Sequence, residues 1–259
     1  MERMDEILYL IEDEVAWITI NQPEKMNRLT FQGMRKFVND IGRADNDDKV
    51  RVIVITGAGG KAFCAGASLD QFKQDSILES MKYLDAYAKI CQVFNKIRKP
   101  SIAMINGYAL AGGCGLAMLP TFSIASEKAI FGCPEINVGL WPMMVMSILF
   151  RTVGRKKALE LICTGETIDA YEAERIGMIT KVVPHDELKS YVIELANKLK
   201  NKSSSVLRLG LEAYHTTMDM EYKKAISYLR DMAVILSNTP DSIEGTRAFL
   251  EKRKPKWNK

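Results

Sequence analysis

One glutamate and two stretches of small residues carry the groups best suited to chemistry. An apolar run at 102–105 ends in an Asn-Gly turn, and residues 111–113 (Ala-Gly-Gly) then open a helix of small residues. The first N–H groups of such a helix have no partner within it, so they point to where negative charge can be held. Glu135 follows in an otherwise apolar stretch. This pattern predicts proton transfer beside a stabilised oxyanion.

Length, composition and charge limit the class of protein. The chain has 259 residues, of which 47% are hydrophobic and 26% charged, as is typical of a globular protein with one large core. Its 36 basic and 32 acidic residues give a net charge of +4, which is too balanced to indicate nucleic-acid binding. Five cysteines without a CxxC pair and two histidines predict neither a metal site nor a disulfide framework. The acidic start and the lack of a long uncharged apolar run indicate a soluble cytosolic protein that does not enter a membrane.

The spacing of apolar residues predicts an α/β fold. Strands are expected at 7–11, 15–20, 52–55 and 102–105, the first two forming a hairpin. Thr30 is placed to cap a helix, and a second helical pattern ends at Pro100. Strands and helices therefore alternate along the first half of the chain.

Beyond Pro142 the sequence is mostly helical. Helices are predicted at 143–152, 155–163, 170–175, 187–200, 204–215, 221–236 and 242–251, with one strand at 179–183. No low-complexity linker divides the chain. We therefore expect a core over residues 1–199 and a helical C-terminal region over residues 200–259.

Six short motifs, in this order, resemble the enoyl-CoA hydratase/isomerase (crotonase) superfamily. They are 21–27 (NQPEKMN), 61–67 (KAFCAGA), 106–114 (NGYALAGGC), 131–135 (FGCPE), 161–166 (LICTGE) and 248–253 (AFLEKR). Each motif alone is weak evidence for the family. All six, in the family's order over nearly the whole chain, are specific to it. The resemblance implies a ββα spiral core with a helical C-terminal region, assembled as a homotrimer or a dimer of trimers.

The resemblance also assigns roles to the residues that could do chemistry. The backbone N–H groups of Ala67 and Gly112 would hold the thioester oxygen of an acyl-CoA, and Glu135 would give or take a proton at the α or γ carbon. A carboxylate in an apolar wall should have a raised pKa, which suits that task. The alternative interpretation is structural, with the glycines forming tight turns and Glu135 satisfying a helix dipole.

Gly115 departs from the pattern of the two-glutamate hydratases. Those enzymes carry a glutamate at this position, which holds and activates the attacking water. A single glutamate resembles Δ3,Δ2-enoyl-CoA isomerases, in which one base moves a proton between two carbons. Some hydratase-like relatives share the Gly-plus-Glu pattern, so both hydration of a 2-enoyl-CoA and isomerisation of a 3-enoyl-CoA stay open.

Other positions correspond to the family's coenzyme A contacts, and coenzyme A is here part of the substrate, so no separate cofactor is expected. The positions are Lys25, Arg28, Ala65 and Leu69, joined by Phe249 and Lys252 from a neighbouring subunit. Each lysine could equally be a solvated surface charge.

The bulky stretch after Gly139 is a second departure. Trp141, Met143 and Met144 are predicted to shape a dry acyl pocket, because methionine adapts to irregular apolar space. The alternative is that these residues belong to a helix core.

Functions of other classes are alternatives for this sequence. A catalytically silent acyl-CoA-binding scaffold would share the fold, since a fold does not determine a function. RNA binding is not indicated, because the sequence has no stripe of basic and aromatic residues. Dehalogenation or thioester hydrolysis would need a further acid, for which Asp70 is a candidate by sequence proximity.

Overall fold

Two β-sheets and a set of surrounding helices form the structure, a computed structural model that describes residues 5–68 and 76–257. The strands in this part are β1 (Ile7–Glu12), β2 (Val15–Ile20), β3 (Val52–Gly57), β4 (Ala62–Cys64), β5 (Ser101–Ile105), β6 (Tyr108–Leu110), β7 (Phe122–Ser126), β8 (Ile130–Gly132), β9 (Thr167–Asp169) and β10 (Lys181–Val183). The larger sheet has the order β1-β2-β3-β5-β7-β10 and the smaller one β4-β6-β8-β9.

The helices follow the strands along the chain. They are α1 (Phe31–Asn46), α2 (Ile77–Phe94), α3 (Gly112–Met118), α4 (Met143–Thr152), α5 (Arg155–Thr164), α6 (Ala170–Arg175), α7 (Leu188–Lys200), α8 (Ser204–Thr217), α9 (Tyr222–Ser237) and α10 (Pro240–Leu250). Short 3-10 helices lie at Pro23–Lys25, Pro134–Val138 and His185–Glu187.

The chain repeats a ββα unit that links the two sheets. In each unit one strand joins the larger sheet, the next strand joins the smaller sheet, and a helix follows: β3-β4-α2, β5-β6-α3, and β7-β8 with α4. The strands β2, β3, β5, β7 and β10 are parallel neighbours, and so are β4, β6 and β8. This repetition confirms the predicted α/β fold with a ββα spiral core.

The central strand β3 of the larger sheet is buried on both faces. Along β3, Ile53 and Ile55 pack into the main core with the early helices, whereas Val52 and Val54 pack on the other face with α7. Alternate side chains of a strand point to opposite faces, so a continuous apolar run fits this central position.

The predicted elements agree with the structure where the element is long or where a capping residue marks the start of a helix. Thr30 Oγ1 accepts a hydrogen bond of 3.0 Å from the Gly33 N–H and so begins α1. The strand β7 and the strands of the smaller sheet were not predicted. Those of the smaller sheet have three residues each, too few to show a period, and they exist because a neighbouring strand pairs with them.

The C-terminal helices α8, α9 and α10 pack on one another. Within this single chain, α9 has no buried residue, although Ile226, Leu229 and Val234 are apolar. The division at residue 199 stays a prediction. Among the residues described, no helix combines the length and apolar character needed to span a membrane.

Candidate active site

Three segments singled out by the sequence meet at one edge of the smaller sheet. Residues 65–67 follow β4, Gly112 follows β6, and Glu135 follows β8. Because these three strands are parallel neighbours, their carboxyl ends lie side by side. In open α/β sheets, ligands bind at the carboxyl ends of parallel strands. The repeated ββα unit therefore brings the predicted backbone donors and the predicted carboxylate together.

The two loops that carry the predicted backbone donors touch each other through Gly66. Gly66 has φ +88°, and a Cβ added to it would lie 3.0 Å from the Ala111 Cβ and 3.1 Å from the Gly112 nitrogen. A side chain at residue 66 would push the loops apart, so glycine permits the close approach.

The N–H groups of Ala67 and Gly112 both lack a partner within the described part of the chain. The Leu29 N–H donates to the Gly66 oxygen at 2.9 Å and the Ser68 N–H donates to the Leu29 oxygen at 2.9 Å, which leaves the Ala67 N–H between them unused. The Gly112 N–H is the first of α3 and has no acceptor in the helix. Two free donors on adjacent loops can hold one developing oxyanion.

Ala111, directly before Gly112, has an unusual backbone. Its φ of +52° lies in the region that non-glycine residues rarely occupy, and such residues cluster where a backbone group must be held in a set direction. The Ala111 N–H donates to the Gly132 oxygen at 2.9 Å, which ties this turn to the end of β8. The strained turn therefore connects the Gly112 donor to the Glu135 segment.

Glu135 lies in the first turn of the 3-10 helix Pro134–Val138. Its Oε2 atom is buried and has no hydrogen-bond partner among the described residues. Burial raises the pKa of the Glu135 carboxyl above its usual range, and a hydrogen bond with its own backbone opposes this in part. A carboxyl group whose pKa is raised by burial is better suited both to take and to return a proton.

The raised pKa of Glu135 carries a stability consequence that can be measured. A carboxyl whose pKa is higher in the folded state stabilises the fold below its unfolded pKa, and this contribution is lost as pH rises through the folded pKa. Glu135→Gln is therefore expected to raise the melting temperature at pH 7, by about 2–4 °C for each kcal/mol gained in the free energy of unfolding. The gain should disappear below about pH 4.3, the ordinary glutamate pKa. Thermal unfolding of both proteins across this pH range checks the prediction, and an equal difference at every pH would contradict it.

The cysteines beside the site are not nucleophiles. Burial raises the pKa of the Cys64 thiol to about 12. A hydrogen bond with Cys114, followed by burial, raises the pKa of the Cys133 thiol far above its usual range. Since the thiolate is the reactive form, these groups stay protonated and act as small apolar residues. In the described part of the chain, no group of three or more histidine, cysteine, aspartate or glutamate side chains could hold a metal ion.

Tyr87 is a residue of this site that the sequence did not predict. Its side chain is buried, and its hydroxyl donates a hydrogen bond of 2.6 Å to the Gly112 oxygen. In the sequence, Tyr87 shows only the helical spacing of α2, which is typical of a core residue. The only sequence feature that could have indicated its contact with α3 is the pair of glycines at 112 and 115, which have no side chains and so leave room for a ring.

The residues predicted to contact coenzyme A fall into two groups. Lys25 and Arg28 lie on the loop after β2, and the Ala65 N–H donates to the Met26 oxygen of that loop at 3.0 Å. The structure thus brings these three positions together beside the β4 edge. Leu69 and Asp70 lie outside the described residues.

Phe249 and Lys252 lie at the other end of the chain, at and after the end of α10. Both are exposed, and Phe249 has 81% of its surface accessible. No described contact joins them to the site of the same chain. A contribution from a neighbouring subunit stays a prediction.

The three residues predicted to form an acyl pocket differ in their surroundings. The Trp141 indole N–H donates to the Met146 sulfur at 3.3 Å, and both Trp141 and Met144 pack against the core. Met143 is 64% exposed, so the interpretation that all three belong to a helix core is wrong for Met143. Their role in holding an acyl chain stays a prediction.

Comparison with known proteins decides the family. The family model for enoyl-CoA hydratase/isomerase matches residues 11–259. The chain belongs to the enoyl-CoA hydratase/isomerase family. Its function is accordingly of the enoyl-CoA hydratase/isomerase type, and the resemblance inferred from the six motifs is confirmed.

Individual members of the enoyl-CoA hydratase/isomerase family match along nearly the whole chain. A probable mitochondrial enoyl-CoA hydratase of Dictyostelium discoideum is 37% identical over 246 residues, 94% of this chain and 87% of that protein. The short-chain-enoyl-CoA hydratase of Clostridium acetobutylicum is 35% identical over 94% of each chain. The crystal structure of human enoyl coenzyme A hydratase domain-containing protein 3 has a TM-score of 0.94 at 30% identity, covering 98% of this chain and all of that one (100%).

Proposed function

We propose that this enzyme binds an acyl-CoA thioester and moves a proton beside the thioester carbonyl. The Ala67 and Gly112 N–H groups hold the carbonyl oxygen, and Glu135 exchanges the proton. The observation that carries the proposal is the buried, unpartnered Glu135 oxygen at the same sheet edge as two free backbone donors. Negative charge that develops on the thioester oxygen meets two N–H dipoles already in place.

The reaction that fits one carboxylate best is movement of a double bond. The Glu135 carboxylate takes a proton from the α-carbon of a 3-enoyl thioester, and the electron pair moves onto the thioester oxygen as a dienolate. Protonated Glu135 exchanges its proton with solvent and then gives a proton to the γ-carbon, which yields the 2-enoyl thioester. Atoms and charge balance without water. Gly115 supports this reaction because no carboxylate stands at that position.

Hydration of a 2-enoyl-CoA is the second candidate, favoured by the names of the curated relatives. Both relatives given above are called enoyl-CoA hydratases. In hydration, the hydroxyl group of a water adds to the β-carbon and a proton is added to the α-carbon. Glu135 would then have to serve both the water and the α-carbon.

Paired substrates in labelled water distinguish the two reactions. We expect the enzyme to convert a 3-enoyl-CoA to the 2-enoyl-CoA in deuterated water, with deuterium entering the chain. A trans-2-enoyl-CoA in heavy-oxygen water should gain little label. Mass spectrometry of both products checks this, and rapid oxygen incorporation would assign the enzyme as a hydratase.

The coenzyme A part of the substrate would lie along Lys25, Arg28 and Ala65. The two cations can pair with phosphate oxygens, and the Ala65 backbone can approach the ligand closely. Leu69, together with Phe249 and Lys252 from a neighbouring subunit, would complete this contact. Trp141, Met143 and Met144 would line the acyl end, and the reaction needs no metal or redox cofactor.

The exposed apolar face of the C-terminal helices supports a homotrimer or a dimer of trimers. On α9, Tyr222, Ile226 and Leu229 lie on one stripe and are 75%, 51% and 38% exposed in the single chain. An apolar stripe of this kind normally contacts another protein surface.

Charge placed on that stripe should break the assembly. We expect Ile226→Glu to shift the mass measured by light scattering from a multiple of the 29.1 kDa chain toward the single chain. Ser227→Glu adds the same charge at the next residue, about 100° around the helix, and should leave the assembly intact. A monomeric wild-type protein would contradict the assembly proposal.

A further inference from the structure

Tyr87 lies across the first turn of α3, on the side of the site where Gly112 and Gly115 expose bare backbone. A Cβ added to Gly112 would lie 2.8 Å from the Tyr87 Cε2 and 3.1 Å from its Cζ. A Cβ added to Gly115 would lie 2.6 Å from the Tyr87 hydroxyl oxygen. The ring therefore fills the space that side chains at both glycines would need.

Other apolar groups close the same space from α4. The Cβ added to Gly115 would also lie 3.1 Å from the Val145 Cγ2 and 3.4 Å from the Ile148 Cδ1. The hydrogen bond of 2.6 Å to the Gly112 oxygen fixes the Tyr87 hydroxyl at this place. A side chain at residue 115 therefore fits only if the Tyr87 hydroxyl shifts from its place.

We propose that Tyr87 is a specificity-determining residue that takes the place of a second carboxylate and closes this side of the site to an activated water. The proposal rests on the proton transfer by Glu135 proposed above. It adds the reason why a single carboxylate works alone: a neutral phenol whose proton is bonded to the Gly112 oxygen cannot deprotonate a water there.

The chemistry of the hydroxyl agrees with this role. Burial raises the pKa of Tyr87 well above its usual range, and nearby Cys91, Cys64, Cys114 and Glu135 add to the effect. The hydroxyl is therefore a neutral donor, not a base. Because its proton is directed at the Gly112 oxygen, it also restrains the turn whose N–H faces the thioester.

The packing can be tested without any assay of activity. Gly115→Ala is expected to lower the melting temperature by roughly 3–10 °C in the wild-type background, because its Cβ meets the Tyr87 hydroxyl. In the Tyr87→Phe background the oxygen is gone, and the same substitution should cost clearly less. An equal loss in both backgrounds would overturn the placement of Tyr87.

The preference for proton exchange over hydration can be tested by replacing the tyrosine ring with a carboxylate at residue 115. Tyr87→Ala combined with Gly115→Glu removes the ring and supplies a carboxylate. The ratio of heavy-oxygen incorporation to deuterium incorporation is then expected to rise about 10-fold or more over wild type. The matched control combines Tyr83→Ala with Gly115→Glu, because Tyr83 is equally buried one turn earlier in α2 and its hydroxyl donates to the Ser68 oxygen instead.

The outcomes separate this inference from the proposed function. An equal rise in the Tyr83 control, or a wild-type enzyme that already hydrates as fast as it exchanges deuterium, would overturn the role of Tyr87 and leave Glu135 untouched. Deuterium exchange that survives in Glu135→Gln would instead overturn the proposed function. If the Tyr87→Ala double variant does not fold, the Gly115→Ala melting comparison still decides the placement.

Discussion

Replacing Glu135 with glutamine is expected to lower turnover by about 100-fold or more while leaving binding of an acyl-CoA nearly unchanged. Glutamine keeps the shape of the side chain but cannot exchange a proton, and positioned acid–base groups contribute factors of this size. The buried Oε2 has no partner among the described residues, so the change at this atom breaks no hydrogen bond to another residue. Steady-state rates and calorimetric binding of a substrate analogue measure the two effects separately.

Glu127→Gln is the matched control for this change. Glu127 is an exposed carboxylate on the turn after β7, so the substitution removes the same charge outside the site. The control should keep the wild-type rate. A near-normal rate in Glu135→Gln would remove Glu135 from the mechanism.

The second large effect is expected at Gly112. Gly112→Pro deletes the N–H proposed to meet the oxyanion, and the loss of one such donor typically costs a factor of 10²–10³ in kcat, about 3–4 kcal/mol. Proline is tolerated in the first turn of a helix, where its missing N–H breaks no helical bond. We therefore expect a folded protein with little activity and with binding of free coenzyme A largely retained.

Gly112→Ala separates the donor from the shape of the site. It keeps the N–H but adds a Cβ that would lie 2.8 Å from the Tyr87 ring, a contact that proline adds as well. The comparison thus removes the effect of the added Cβ, and what remains is the loss of the N–H together with the proline ring that replaces it. A folded Gly112→Pro protein as active as Gly112→Ala would show that this N–H does not hold the oxyanion.

The elements that the sequence predicted well are those with local signals. The helices α4 and α6 have the predicted bounds, Met143–Thr152 and Ala170–Arg175, and in α6 the Asp169 side chain accepts from the Glu172 N–H at 2.8 Å. The first hairpin has six paired positions between β1 and β2. Capping side chains and apolar periodicity are properties of neighbouring residues, so a sequence displays them directly.

The features that the sequence did not predict depend on residues far apart in the chain. The strand β6 exists because β4 and β8 pair with it on either side. Tyr87 reaches Gly112 across a separation of 25 residues, and nothing in the spacing of α2 distinguishes it from other core positions. The direction of a side chain at residue 115 likewise becomes clear only when α2 and α4 are packed against α3.

The most direct test of the proton transfer follows deuterium from the solvent into the acyl chain. The wild-type enzyme and Glu135→Gln are each incubated with a 2-enoyl-CoA and a 3-enoyl-CoA in deuterated water, and label at the α and γ carbons is read by mass spectrometry. We predict rapid labelling by the wild-type enzyme and labelling reduced by about 100-fold or more with Glu135→Gln. Equal labelling by the two proteins, or none by the wild-type enzyme with either substrate, would contradict a proton transfer carried by Glu135.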